Sequence, residues 1–396
     1  MPSDLTGEAE RCGYIISSMH KSTPNSFPVV SDLEDFMNAS FLDRMWLPRP
    51  DITQEEARAI LLKHYDLSGA LKELDSQQDR NFLIDTGVKS FVLKICLAEY
   101  GPTELEAQVS AFQHLHTKSG VPRVPSIIPT TEGESIILLE IRERKYRARL
   151  LEYLRGEPVI EEENLSPELI RSLGALAANL TLGLSDFEHP GLNRSLQWDL
   201  RKSGPVAEHL LSSVRDDERR NRISEGMTSA LTRLKPLEKD LRIQTVHHDL
   251  TGDNILCRKD QFGVSIPDAV IDFGDIMRGW LVSDIVVLCA WLLQYNEHDI
   301  QSILPAVIAY HEICPLNDAE LRAIWPLVIV RSVVLLASSE QQRSADPANS
   351  YAYRDLEIER SVFASVIGVD ADLIYNEITK ALVAHGEENA SSSQTR

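Results

Sequence analysis

The sequence predicts an α+β fold in two lobes: a small lobe with an antiparallel sheet and one helix, then a larger, mainly helical lobe. Three observations predict it. Strand-length apolar runs cluster between residues 71 and 151. From residue 166 onward, apolar residues recur mostly at helical spacing. Within that second part lies one polar loop, His247-His248-Asp249-Leu250-Thr251-Gly252-Asp253-Asn254. Short strands bracket it, and Asp272-Phe273-Gly274-Asp275 follows. A chain of 396 residues with 43% hydrophobic content can bury a sizeable core. The expected division is a partly ordered extension over 1–50, a small lobe over 51–155, a large lobe over 156–385 and a disordered tail over 386–396.

Taken in order, the elements have local causes. Residues 1–50 lack periodicity and are rich in Ser, Pro and Met, with a short helix expected near Leu33 to Phe41. Thr53-Gln54-Glu55-Glu56 is a capping box that opens a helix running through Tyr65. Strands are expected over Leu71 to Leu74, Asn81 to Asp85 and Phe91 to Ile95, with Gly87 in a turn. In the third strand Phe91, Leu93 and Ile95 share one face, and Val92 and Lys94 the other. A lysine in so apolar a strand is costly to bury unless it meets an anion. Glu104 to Leu115 reads as a helix through Leu105, Val109, Phe112 and Leu115. Two further strands, Ser135 to Ile141 and Tyr146 to Leu151, are joined by the charged turn Arg142 to Lys145. Leu151 to Gly156 then connects the lobes.

In the large lobe, Ser166 caps a helix whose first residue is Pro167 and whose apolar stripe is Leu169, Leu173, Leu176 and Leu180. A loop from His189 to Leu200 ends in Gln197-Trp198-Asp199. Further helices are expected from about Val206 to Ser229, Val282 to Tyr295, Ile300 to Ile313 and Asp318 to Ser338. Val246 and Ile255-Leu256-Cys257 flank the polar loop as strands. Ala269-Val270-Ile271 leads into Asp272, after a turn around Lys259 to Gly263.

Composition narrows the function. Forty basic against sixty acidic residues give a net charge of -20, which argues against nonspecific binding to nucleic acid or an anionic membrane. Five scattered cysteines without C-x-x-C point to free thiols, a reducing compartment and no zinc site. No apolar signal segment stands near the N-terminus, so a cytoplasmic location is expected. The apolar stretches Trp280 to Leu293 and Leu327 to Ala337 are interrupted by Asp284 and Arg331, and both are short for a membrane span.

The polar loop carries the chemistry. H-x-D-x-x-x-x-N followed by D-F-G is the order of a kinase catalytic loop and metal-binding segment. Chance would put the first pattern in about 2% of chains this long, and both together in roughly one in ten thousand. Asp249 can accept the proton of an attacking hydroxyl, while Asn254 and Asp272 can hold magnesium against phosphate oxygens. The phosphates of ATP or GTP would supply the anion that Lys94 needs. The Glu104 to Leu115 helix stands where kinases carry the glutamate that pairs with this lysine. Glu104, Glu106 and Gln108 compete for that role, with Glu106 slightly favoured and Gln108 at the like-for-like position. The backbone of Glu152 to Leu154 would meet the base edge.

Together these residues resemble the aminoglycoside phosphotransferase/choline kinase superfamily, small-molecule kinases with a protein-kinase-like bilobal fold. Within it the chain is similar to the hydroxylysine kinase-like family. Further residues carry the likeness: Leu74 to Phe82, a turn without glycines that ends Gln78-Asp79-Arg80-Asn81-Phe82, then Leu150 to Gly156, His189-Pro190 through Gln197-Trp198-Asp199-Leu200, and Arg343 through Pro347 with Asn349 and Tyr351. His248 departs from the superfamily's usual Gly. The resemblance implies phosphoryl transfer from GTP or ATP, with Mg2+, to 5-hydroxylysine, and Ser76 covering the phosphates. Choline, homoserine or an aminoglycoside are alternative acceptors, and an inactive binding module is a third reading. An amino acid acceptor needs acids for its amines and an arginine for its carboxylate. The candidates are Asp275, Asp199 with Trp198, Arg331 and Arg343.

Overall fold

A computed structural model describes residues 47–76, 78–295, 299–345 and 350–393. The helix expected near Leu33 to Phe41 and Cys12 lie outside them. Helix α1 (Gln54–Tyr65) opens on the predicted capping box: Thr53 accepts from the Glu56 N–H and Glu56 from the Thr53 N–H. The small lobe's sheet contains β1 (Ala70–Leu74), β2 (Arg80–Asp85), β3 (Ser90–Leu97), β4 (Ile127–Ile128), β5 (Ile137–Ile141) and β6 (Arg144–Glu152). Its order is β1-β2-β3-β6-β4, and β5 also pairs with β6; all its pairings are antiparallel. Arg142 and Glu143 both adopt left-handed backbone between β5 and β6, the twist that a two-residue hairpin favours. Phe82, Ile84, Leu93, Ile95 and Leu150 pack against Leu61 and Tyr65 of α1.

Helix α2 (Pro102–His116) ties the lobes together, because Ala107, Ala111, Phe112 and Leu115 join the core of the large lobe. After β7 (Glu157–Pro158) that lobe is built from α3 (Pro167–Gly183), α4 (Ser203–Leu211), α5 (Asp217–Leu234), α6 (Ser283–Tyr295), α7 (Leu304–Ile313), α8 (Asp318–Ala345), α9 (Ser350–Val366) and α10 (Ala371–Ser393). Two small sheets carry the chemistry. The hairpin of β9 (Ile255–Lys259) and β10 (Ser265–Val270) pairs with β7, and β8 (Ile243–Val246) pairs with β11 (Met277–Trp280).

Three expectations need correction. The helix expected over Val206 to Ser229 is two helices, because Asp216 accepts from the Arg219 N–H and starts α5 afresh. The tail expected to be disordered from Gly386 continues α10 as far as Ser393. Helix α8 runs past Ser338 to Ala345 and is long and apolar enough to span a membrane, yet 89% of its apolar window is buried inside the protein. It is the core helix of the large lobe. Cys96, Cys257, Cys289 and Cys314 are buried free thiols.

Candidate active site

The polar loop leaves β8 at His247 and enters β9 at Ile255, so its residues are held at the junction of the two small sheets. Asp284, buried in the first turn of α6, anchors it. One carboxylate oxygen accepts from the His248 N–H at 2.8 Å and the other from the His247 N–H at 3.3 Å. Burial pushes the Asp284 pKa up to about 6, and those two N–H bonds pull against it. His248 has φ +70°, a left-handed backbone that favours glycine. In this chain the Asp284 bond holds a histidine in that conformation. Gly252 packs so closely on Trp291 of α6 that a Cβ would stand 2.0 Å from the indole.

His247 is fully buried, which lowers its pKa to about 4 and keeps it neutral. Its Nε2 is 3.1 Å from the Ile271 carbonyl, so that nitrogen carries the hydrogen, and Nδ1 accepts from the Asp249 N–H at 3.3 Å. The ring meets Phe273 edge-on at 4.6 Å, and Phe273 packs on Phe112 of α2 at 4.7 Å. Loop, D-F-G segment and α2 therefore stack as one unit.

On this frame the four predicted catalytic groups share one cleft. Asn254 donates its amide to the Asp249 carboxylate at 2.7 Å and to the Asp249 carbonyl at 2.9 Å, which leaves its own carbonyl oxygen for a cation. Asp272, itself at φ +56°, accepts from Lys94 at 3.1 Å and from the Gly274 N–H at 3.1 Å. Burial disfavours its charge, but the Lys94 ammonium, with Arg149 behind it, outweighs that and holds its pKa at about 2. An ionised carboxylate and an amide oxygen suit a hard cation that keeps part of its water shell. Asp249 is pushed the other way, up to about 7, first by burial and then by the negative charge of Asp275; Arg331 opposes both. A base near neutrality is suited to taking a hydroxyl proton.

The lysine's partner is not Glu106. That side chain is exposed on the outer face of α2. Gln108, one turn past Glu104, faces inward and accepts from Arg149 at 2.8 Å; Glu104 pairs with Arg194 at 3.1 Å. Lys94 instead meets Asp272 and, at 3.7 Å, Asp79 of the β1–β2 turn, which stands equally far from Arg149. Two buried cations thus face each other across β3 and β6, where Lys94 and Arg149 are register partners. A neutral Gln108 fits between α2 and that pair better than a second charge demanding its own partner would.

Of the other candidates, Asp275 closes the turn after D-F-G and is among the charges that act on Asp249 and Arg331. Trp198 lies under Arg331, whose guanidinium carbon is 4.9 Å from the ring centroid. Ser76 accepts from the Asp79 N–H at 3.2 Å and closes the β1–β2 turn. Glu152 and Tyr153 donate their N–H groups to the Ser126 and Ser90 carbonyls, while Leu154 packs on Leu256, Ala269 and Ile271. Asp199 is not available to a substrate: it is fully buried, accepts a two-pronged bond from Arg201 and caps a short 3-10 turn. Arg343 stands twelve residues beyond Arg331 on α8, about 18 Å at 1.5 Å per residue, outside this cluster.

Sequence reasoning missed Arg194, Arg149 and Asp79 as parts of the site. Arg194 bonds the carbonyls of Gly274 and Ile276 as well as Glu104, clamping the D-F-G turn to α2. No spacing signal marks such contacts. Each stood inside a segment already singled out, Arg194 in the His189 to Leu200 loop, Arg149 in the Tyr146 to Leu151 strand and Asp79 in the β1–β2 turn, but none was read as part of the site.

A bilobal fold with this polar loop, D-F-G aspartate and strand lysine defines a phosphotransferase of the small-molecule kinase kind. The chain belongs to the phosphotransferase enzyme family known as APH, which matches residues 70–318. It is 26% identical over 327 residues to the hydroxylysine kinase of Bos taurus, covering 74% of this chain and 84% of that one. It is 27% identical over 297 residues to the homoserine kinase of Zymomonas mobilis, covering 72% and 84%. Among solved structures, a microcompartment-associated aminopropanol kinase superposes with TM-score 0.62 at 20% identity, over 83% of this chain and 99% of that one. Amicoumacin kinase hAmiN, in complex with AMP-PNP and Ca2+, superposes with TM-score 0.61 at 17% identity, over 86% and 100%.

Proposed function

We propose that the protein transfers the γ-phosphoryl group of ATP or GTP to the hydroxyl of a small amino-bearing acceptor, with 5-hydroxylysine as that acceptor. The observation that carries the reading is the cleft itself, where the Lys94–Asp272 pair and the Asn254–Asp249 pair lie side by side, joined by the Ile271 N–H bond to the Asn254 carbonyl and close enough that Asp272 acts on the charge of Asp249. Lys94 would hold the nucleotide phosphates, with Ser76 in the turn above. The base would lie on Leu154, Leu256 and Ile271 against the connector at Glu152 to Leu154. Asn254 and Asp272 would hold Mg2+, which when bound neutralises charge on the transferring phosphoryl oxygens. Asp249, fixed by Asn254, takes the proton of the attacking hydroxyl. Asp275 supplies negative charge for an acceptor ammonium.

The acceptor follows from the hydroxylysine kinases among the relatives. The homoserine kinase of similar identity favours a second reading, in which a shorter hydroxy amine is the acceptor. A panel of 5-hydroxylysine, homoserine, choline, 1-amino-2-propanol and an aminoglycoside, each with γ-labelled ATP and GTP, tests both. The proposal expects the highest kcat/KM with 5-hydroxylysine. Turnover of another amine with none of 5-hydroxylysine discards it.

A further inference from the structure

We propose that Arg331, laid over Trp198 beside the catalytic aspartate, is the seat for a carboxylate on the acceptor. The enzyme then selects hydroxy amino acids over amino alcohols that lack the carboxylate. This rests on the kinase reading and names its substrate class.

Arg331 comes from the middle of α8, and its side chain is only 6% exposed. A guanidinium removed from water needs its five donors met. Here they are not. Its one hydrogen bond to a described carboxylate is a long one, 3.5 Å from Nη2 to Asp249 Oδ1, and Nη1 is buried with no hydrogen-bond partner among the described residues. Trp198 lies against the group at 4.9 Å, a cation–π contact that takes up none of its N–H donors. An anchored planar fork with a free buried N–H matches a planar carboxylate.

The anion belongs to the acceptor and not to the nucleotide. Asp249 uses its two oxygens on opposite neighbours: Oδ2 takes the Asn254 amide and Oδ1 faces Arg331. The phosphate cation, Lys94, is paired with Asp272. An anion on Arg331 is therefore carried by the molecule whose hydroxyl meets Asp249. With bonds of about 1.5 Å, a hydroxyl three or four carbons from the carboxylate carbon spans the few ångströms between the two groups. If Arg331 only neutralised Asp249, Asp275 and Glu359, it would serve every acceptor alike.

The test compares kcat/KM within pairs that differ only by the carboxylate: 5-hydroxylysine against 1,5-diaminopentan-2-ol, and homoserine against 3-amino-1-propanol. Charge-assisted bonds of this kind correspond to about 10- to 100-fold, so the wild-type protein should favour the acid in at least one pair by that ratio. Arg331→Met should collapse the ratio towards one, whatever happens to the common rate, and Arg331→Lys should keep part of it. A wild-type ratio near one overturns the proposal while leaving the kinase reading intact, and needs no variant to fold. So does an Arg331→Met protein that slows both members equally and keeps the ratio. If the wild-type protein phosphorylates neither member of either pair but turns over another amine of the panel, the hydroxy amino acid acceptor falls and this proposal with it, while the kinase reading stands.

Discussion

Asp284→Ala should separate the architecture of the catalytic loop from its chemistry. The carboxylate touches neither the predicted metal ligands nor the base, yet it accepts the N–H groups of His247 and His248 in a fully buried position. Alanine leaves both donors without an acceptor. Each buried unsatisfied group costs about 1–3 kcal/mol. The His247 bond, at 3.3 Å, sits at the weak end. Removing a carboxylate whose burial already raises its pKa to about 6 gives back part of the loss. The net should be about 2–4 kcal/mol, a large share of an ordinary domain's 5–15 kcal/mol. The same bond holds His248 at φ +70°. Once it is gone the backbone relaxes, and a shift of about 1 Å in the base lowers kcat about 100-fold. Urea unfolding without nucleotide, together with steady-state turnover, measures both effects. An unchanged unfolding midpoint with kcat within about two-fold of wild type would mean that Asp284 does not hold the loop.

Other outcomes follow from the electrostatics of the cleft. Lys94→Ala removes the cation 3.1 Å from Asp272, so nucleotide KM should rise and kcat fall, each by about ten-fold or more; an unchanged KM would mean that β3 does not serve the phosphates. Asp249 must lose its proton to act, and its pKa is raised to about 7, so kcat/KM for the acceptor should rise as pH increases through that value. Asp275→Asn removes a nearby negative charge, which favours ionised Asp249, so this limb should move to lower pH. A limb that stays put or moves up contradicts the assignment.

How much of this was legible depended on how local each signal was. The loop from His247 to Asn254 and the D-F-G segment are contiguous, and their flanking strands alternate or run apolar as short buried strands do. Lys94 was legible as a charge misplaced in an apolar strand. The pairing of that lysine was not, because it is set by how α2 rotates against the sheet. A change of two positions separates exposed Glu106 from buried Gln108. Arg149 reads as one more charge in Arg144-Lys145-Tyr146-Arg147-Ala148-Arg149. Only its pairing with Lys94 across β6 and β3 makes it part of the site. Arg194 is loop sequence whose value lies in carbonyls some eighty residues away. Asp199 misled for a similar reason: beside Trp198 it resembled a substrate acid, but Arg201 two residues on already holds it. The break between α4 and α5 did leave a signal, since no apolar residue stands between Val214 and Ile223 and Asp216 can cap a new helix, but the apolar stripes on either side read as one.

The central claim is that one carboxylate does the proton transfer while other groups grip the nucleotide. Side-by-side measurement of Asp249→Asn and Asp272→Ala tests it most directly, with kcat for labelled phosphoryl transfer and Kd for magnesium–AMP-PNP taken on the same preparations. Asp249→Asn should lose about 100- to 10,000-fold in kcat with Kd nearly unchanged, whereas Asp272→Ala should weaken nucleotide binding as well. Equal and mild losses in both variants would contradict it.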